Sequence, residues 1–173
     1  MYPKLIDCNL KRLAVLAIEI LLISIILFPL STVYAATISC DIADPCIGTN
    51  DNDKMEGDSG SNLILAGEGN DDIMSGDGND GISGGDGNDQ MDGGGGFDVM
   101  TGDHGNDEMN GQDGNDFMLG GDGNDEMNGG DGNDEMEGGY GGDSFNCGGG
   151  SNDKISDFSG KEGDTKSEDC EAF

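Results

Sequence analysis

The sequence predicts an all-β protein wound as a flat, two-sided coil of short strands. Three observations carry that expectation. The stretch GGDGNDEMNGGDGNDEME, from Gly120 to Glu137, is two nine-residue units that differ only at the last place. A nine-residue period fits neither an α-helix nor a coiled-coil heptad. Each unit also combines glycine-rich turn formers with one apolar residue at a fixed place, leaving about three residues for a strand. One inward side chain per short strand is what a flat, two-sided coil requires.

Composition sets the limits. The chain has 173 residues, 37 acidic against 7 basic, a formal net charge of -30, 34 glycines and no Trp. So much charge with so little apolar content normally signals disorder. Glycine adds to the difficulty, because it loses the most backbone freedom on ordering. Nucleic acid is not an expected partner, since phosphate binding needs clustered Lys and Arg. The partner that fits this many carboxylates is a cation.

Along the chain, the first element is a targeting segment. Lys4, Lys11 and Arg12 precede the apolar run LAVLAIEILLISIILFPL from Leu13 to Leu30, and STVYAA follows. Val33 and Ala35 suit the -3 and -1 places of a signal-peptidase site, so residues 1-35 are expected to be a signal peptide. The run is also long enough for an uncleaved membrane anchor, against which Glu19 and Pro29 weigh. Cleavage after Ala35 removes three basic groups and two acids (Asp7 and Glu19), taking the net charge from -30 to -31. Cys8 leaves as well, and Cys40, Cys46, Cys147 and Cys170 remain. An even count in an exported chain favours disulfides. Three pairings are open, and spacing suggests the local one, Cys40 with Cys46 and Cys147 with Cys170. A zinc site is disfavoured because no His lies near these cysteines.

Residues 36-47 are expected to form an N-terminal cap. The repeats follow over residues 48-156. From Gly57 to Asn146 the nonads run without a gap, with GTNDNDKME before them and GGGSNDKIS after them. The last copy keeps its register only if Cys147 is a one-residue insertion, since otherwise Lys154 takes the apolar place. That makes about twelve copies. The sixth place is Asp everywhere except Asn62. The eighth is apolar throughout: Met55, Ile64, Ile73, Ile82, Met91, Met100, Met109, Met118, Met127, Met136, Phe145 and Ile155.

The consensus G-G-x-G-x-D-x-(apolar)-x resembles the repeat-in-toxin (hemolysin-type) calcium-binding nonapeptide family. The resemblance implies a parallel β-roll, a two-sided β-solenoid of about twelve nonads, each forming half a coil. It also implies Ca²⁺ ions between successive turns, held by the Asp side chains and by carbonyls of the glycine-rich loops. Alternate copies share an edge. One edge would stack Asp53, Asp71, Asp89, Asp107, Asp125 and Asp143 as ligands. The other would stack Asn62, Asp80, Asp98, Asp116, Asp134 and Asp153. Asn62, Asp51 in a glycine place and Phe97 in the usual Asn place depart from the pattern.

Elementary electrostatics agrees with this resemblance. Stacked strands lie about 4.8 Å apart, so carboxylates on one edge are near neighbours. Two such charges repel by roughly 3 kcal/mol at an effective dielectric of about 20. A divalent ion between them turns repulsion into attraction. Ca²⁺ accepts about six to eight oxygens at about 2.3–2.6 Å, whereas Mg²⁺ demands a tighter octahedron and sheds water reluctantly. About ten Ca²⁺ ions are expected, and the metal-free chain is expected to be disordered until it binds them.

The remaining residues have plainer expected roles. The Met column is core packing, for which this adaptable side chain suits a narrow coil. His104 is a solvent-facing loop residue in a variable turn place. The acids at the third and seventh places (Asp77, Asp86, Asp122, Asp131, Glu108, Glu126 and Glu135) are solvated surface. Residues 157-173, with Phe158 and Phe173, form a C-terminal cap, because repeat arrays need ends that shield the core and blunt the edge.

No H-E-x-x-H zinc motif or G-x-S-x-G nucleophile turn is present, so no enzyme is expected. Enzymes of the family carry a catalytic domain before the roll, and its toxins export through a C-terminal signal; this chain matches neither. The expectation is a secreted or cell-surface calcium-binding protein with a structural, adhesive or calcium-retaining role. Its partners would be calcium ions and a cell-surface or matrix component, with the membrane only if residues 1-35 stay attached. The alternative is a membrane-anchored surface protein, and after it an accessory module of a secreted enzyme or toxin.

Overall fold

The structure is a computed structural model that describes residues 37-40, 45-160 and 162-172. The signal peptide or anchor expected at residues 1-35 lies outside the described residues. Among the described residues every regular element is a strand, and no helix is long and apolar enough to cross a membrane.

The strands alternate between two parallel sheets. One contains β1 (Thr37–Ser39), β3 (Lys54–Glu56), β5 (Asp72–Met74), β7 (Gln90–Asp92), β9 (Glu108–Asp113), β11 (Glu126–Asp131), β13 (Ser144–Asn146) and β15 (Thr165–Lys166). The other contains β2 (Cys46–Ile47), β4 (Leu63–Glu68), β6 (Gly81–Asp86), β8 (Val99–His104), β10 (Phe117–Asp122), β12 (Glu135–Tyr140), β14 (Lys154–Ile155) and β16 (Glu171–Ala172). Neighbours within a sheet pair in parallel, as Ile64 does with Ile82 and Met91 with Met109. The chain is therefore a parallel β-solenoid that crosses from one sheet to the other at every nonad.

The apolar residues of the eighth place all point inward. Met55, Ile64, Ile73, Met100, Met118, Met127, Met136 and Ile155 are completely buried, and the others are nearly so. Ile155 pairs with Met136 and not with a residue of the seventh place, so the extra residue at Cys147 restores the register.

Two features exceed the sequence expectation. Many strands are six residues long rather than three, running on into the glycines of the next unit. Strand alternation then brings the first place inward two residues after the eighth. Ala66 and Ser75, which occupy it, are fully buried, and most other copies have Gly there. The aspartates of the sixth place are buried too, so each nonad sends three places into the coil rather than one.

Cys40 is bonded to Cys46, and Cys147 to Cys170. The first bridge joins β2 to the residue after β1, across the two sheets, and Ile38 packs against the core beside it. At the far end Phe158 packs on the core, and β15 and β16 close the two sheets by pairing with β13 and β14.

Candidate metal centre

The turn aspartates form two rows, assembled from one repeated contact. In each row the Oδ1 atom of one Asp accepts the backbone N–H of the residue one full coil earlier, 18 residues back. Asp71 accepts from Asp53, Asp89 from Asp71, Asp107 from Asp89, Asp125 from Asp107 and Asp143 from Asp125, at 2.7 to 3.0 Å. The second row repeats this, with Asp80 accepting from Asn62, then Asp98 from Asp80, Asp116 from Asp98 and Asp134 from Asp116. Asp153 continues that row to Asp134 at 3.0 Å, across 19 residues because of the insertion. All the residues expected to stack on each edge do so.

What the second oxygen does separates the middle of each row from its ends. Oδ2 of Asp71, Asp89, Asp107 and Asp125, and of Asp80, Asp98, Asp116 and Asp134, is buried without a hydrogen-bond partner. Such an atom is costly unless something satisfies it. At the N-terminal end Asp53 Oδ2 already accepts from Thr49 N–H at 2.7 Å and from the Thr49 hydroxyl at 2.9 Å. The other row begins at Asn62, whose Oδ1 accepts from Asp58 N–H.

Glycine makes the space in front of these oxygens. A methyl group placed on Gly102 would lie 2.2 Å from Asp107 Oδ2 and 2.6 Å from the Gly120 carbonyl oxygen. The same holds at Gly111, with Asp116 Oδ2 at 2.4 Å and Gly129 O at 2.6 Å. One carboxylate oxygen and one carbonyl from the next coil thus face a gap that any side chain on that glycine would fill. The fourth-place Gly105 serves the stacking itself: with φ of 137° its Cα faces the coil below, and a Cβ would stand 1.6 Å from Gly87 O.

Burial, more than neighbouring charge, disturbs the acidity of the row. It pushes Asp89, Asp107, Asp125 and Asp134 up to about 6 and Asp98 to about 7, with Asp71, Asp116 and Asp143 also raised. The N–H bond each accepts works in the other direction. Carboxylates of the same row add to the rise, as Asp116 and Asp80 do for Asp98. A row of buried acids, each with an unpartnered oxygen beside a carbonyl, suits a hard divalent cation. Among the described residues no three Asp, Glu, His or Cys side chains converge on one point. The oxygens come instead one carboxylate per coil, joined by backbone carbonyls.

Sequence reasoning missed several members of this system. Asp164 ends the first row by accepting from Asp143 N–H at 3.1 Å and from Ser159 N–H at 2.6 Å. Asp157 accepts from Gly138 N–H and Gly139 N–H at 2.9 and 2.7 Å. Neither stands in a nonad, so the period could not reveal them. The fifth-place Asn side chains form outer ladders of opposite sense: Asn70 Oδ1 accepts from Asn88 N–H, and Asn88 Oδ1 from Asn106 N–H. Phe97 takes part only as a donor, to Asn79 Oδ1, and offers no acceptor to the next coil. His104 is exposed between Asp86 Oδ1 at 3.3 Å and Asp122 Oδ2 at 3.7 Å.

The RTX calcium-binding nonapeptide repeat family matches at residues 47–82, 83–118, 110–145 and 119–155. Comparison with curated proteins gives no match.

Proposed function

The chain belongs to the RTX calcium-binding nonapeptide repeat family, and from that premise we propose an exported, non-enzymatic protein whose β-roll closes on Ca²⁺ outside the cytoplasm. The ions would be held by Asp71, Asp89, Asp107, Asp125 and Asp143 along one edge and by Asp80, Asp98, Asp116 and Asp134 along the other. Asp53 and Asp153 would complete the ends, Asp53 more weakly because Thr49 already occupies its Oδ2. One observation carries the reading: the eight buried, unpartnered Oδ2 atoms lie in two registered rows. When bound, Ca²⁺ would supply the positive charge that those rows lack.

The chain's own residues would do the rest. The Asp rows fix the spacing of successive coils through Oδ1, the glycines keep the gap open, and the Met and Ile column excludes water behind it. In low-calcium cytosol the rows repel and the chain stays open. Where calcium is about millimolar, as at extracellular sites, it folds. The role outside would be structural: adhesion, matrix or surface-layer support, or calcium retention at the cell. The two disulfides fit an oxidising compartment. Residues 1-35 would be removed as a signal peptide, leaving a cap at 36-47, the roll at 48-156 and a cap at 157-173. A mature chain starting at Ala36 separates this from the anchored alternative.

Titration calorimetry on the mature chain, with circular dichroism in chelator and in calcium, tests the proposal. The expected result is eight to about ten ions per chain and a β signal that appears with calcium. Uptake of only one or two ions, or a full β signal in chelator, overturns it.

A further inference from the structure

The two outer faces of the coil differ in character. On the sheet of odd strands the outward places are mostly charged or polar, among them Lys54, Glu56, Asp72, Asp92, Glu108 and Glu126, with Met74 as an exposed apolar exception. On the other sheet the same places, from β2 to β10, carry Ile47, Leu63, Leu65, Val99, Phe117 and Leu119. Between them lie Gly81, Ser83 and Thr101, and the charge that reaches the strip is Asp103, whose carboxylate accepts from the Ser83 and Thr101 hydroxyls at 2.8 and 3.3 Å. Ile47 is 59% exposed, Leu63 47% and Val99 42%. A strip this rich in exposed apolar side chains, interrupted only at β6 by Gly81 and Ser83, on an otherwise acidic surface marks an interaction site more often than chance exposure. Stacked strands about 4.8 Å apart make it roughly 20 Å long, the span of a helix of about 13 residues.

Its two long borders are unlike. Along one, Glu68, Asp86, His104 and Asp122 stand in a single register column. Along the other, Ser61, Asn79, Phe97 and Asn115 are exposed and uncharged. We propose that this strip docks a partner polypeptide whose apolar face is bordered on one side by Arg or Lys, which would meet the Glu68–Asp86–Asp122 column. Charge complementarity selects that occupant. A second copy would bring two strongly acidic chains together, and an anionic lipid surface would be repelled in the same way. The proposal rests on the calcium-folded roll, because the strip exists only when the strands are stacked.

The test uses the full mature chain in calcium and a synthetic amphipathic helix of about 18 residues, with Leu along one face and Arg along one flank. A peptide of the same composition in scrambled order, a version with Glu replacing Arg, and phosphatidylcholine vesicles are the comparisons. The double variant Val99→Glu, Leu119→Glu charges the strip at exposed or half-buried places, and Glu108→Gln changes the opposite face. Expected is saturable binding of the Leu–Arg helix that weakens at least about tenfold in the double variant and is unchanged in Glu108→Gln. Equal binding of the scrambled peptide, or undiminished binding by the double variant, overturns the proposal. So does vesicle binding, or a sedimenting dimer, that the double variant abolishes, since the strip would then serve lipid or a second copy. Circular dichroism of the same samples separates failure of docking from failure of calcium-driven folding.

Discussion

Asp107 Oδ1 accepts the backbone N–H of Asp89 at 2.8 Å, while Oδ2 of the same carboxylate is buried with no partner. One side chain thus does two jobs: its first oxygen sets the spacing of the coils, and its second is left for an ion. Asp107→Asn separates them, because the amide oxygen can still accept the N–H but the charge is gone. We expect this variant to keep its β signal at saturating calcium while binding one or two fewer ions, since an Asp in mid-row borders a gap on either side. Glu108→Gln, one residue on and exposed, should leave the number unchanged. Calorimetric stoichiometry decides; equal ion counts in wild type and Asp107→Asn would remove the row from the binding site.

Acid should partly replace calcium. Burial raises Asp89, Asp107, Asp125 and Asp134 to about 6 and Asp98 to about 7, above the unfolded value of about 3.9. The folded metal-free chain therefore holds more protons than the unfolded one between these limits. The contribution of these groups to stability is fully present below about pH 4 and is lost as pH rises through 6 to 7. In metal-free buffer, circular dichroism should show β structure growing as pH falls from 7 towards 4. With calcium present the ion must displace those protons, so its affinity should drop over the same window. A metal-free chain that only loses structure on acidification would contradict this.

Much of this architecture was legible because the period is strict. The inward column from Met55 to Ile155, both Asp rows and the insertion at Cys147 follow from register alone, since parallel stacking places equal positions over one another. Depth was not legible. Asp looks like a surface residue by type, yet Asp89 before a three-residue strand and Asp98 before a six-residue one are both buried, because each lies in a turn stacked between coils. The ends were not legible either. Asp157 and Asp164 act through backbone N–H groups set by the cap's own path, which no period encodes. The apolar strip stayed hidden because the seventh and ninth places vary from copy to copy: register makes Val99 and Phe117 neighbours, but no fixed place marks their face as apolar.

Two of the second-place residues that are not glycine keep the backbone conformation of glycine. Asp103 and Gln112 both have φ of 72°, the left-handed region that costs a side chain roughly 1 kcal/mol. Asp103 also raises the pKa of nearby Asp89 and Asp107, a smaller effect than burial, so its charge opposes closure. Asp103→Gly should therefore stabilise the roll at limiting calcium by about 1 kcal/mol, despite losing the bond from Ser83 Oγ. Gln112→Gly relieves the same strain but loses the 2.6 Å bond from Gln112 Nε2 to Asp92, so it should be close to neutral. Melting at subsaturating calcium ranks the pair. Destabilisation by Asp103→Gly would mean that its carboxylate helps to hold the turn.

The methionine column makes calcium-dependent closure visible to chemistry. Met91, Met100, Met109, Met118, Met127 and Met136 are at most 1% exposed, whereas Met74 on the outer face is 39% exposed. Oxidation to the sulfoxide needs access to sulfur, and its product is polar and unsuited to this core. In calcium, dilute peroxide should oxidise Met74 and spare the column. In chelator all of them should react, if the open chain exposes them as the repelling Asp rows require. After that treatment, added calcium should no longer restore the full β signal, because several sulfoxides would have to be buried without partners. Peptide mass mapping reads each methionine separately. Equal oxidation of the column with and without calcium would show that the core is closed, or open, regardless of the ion.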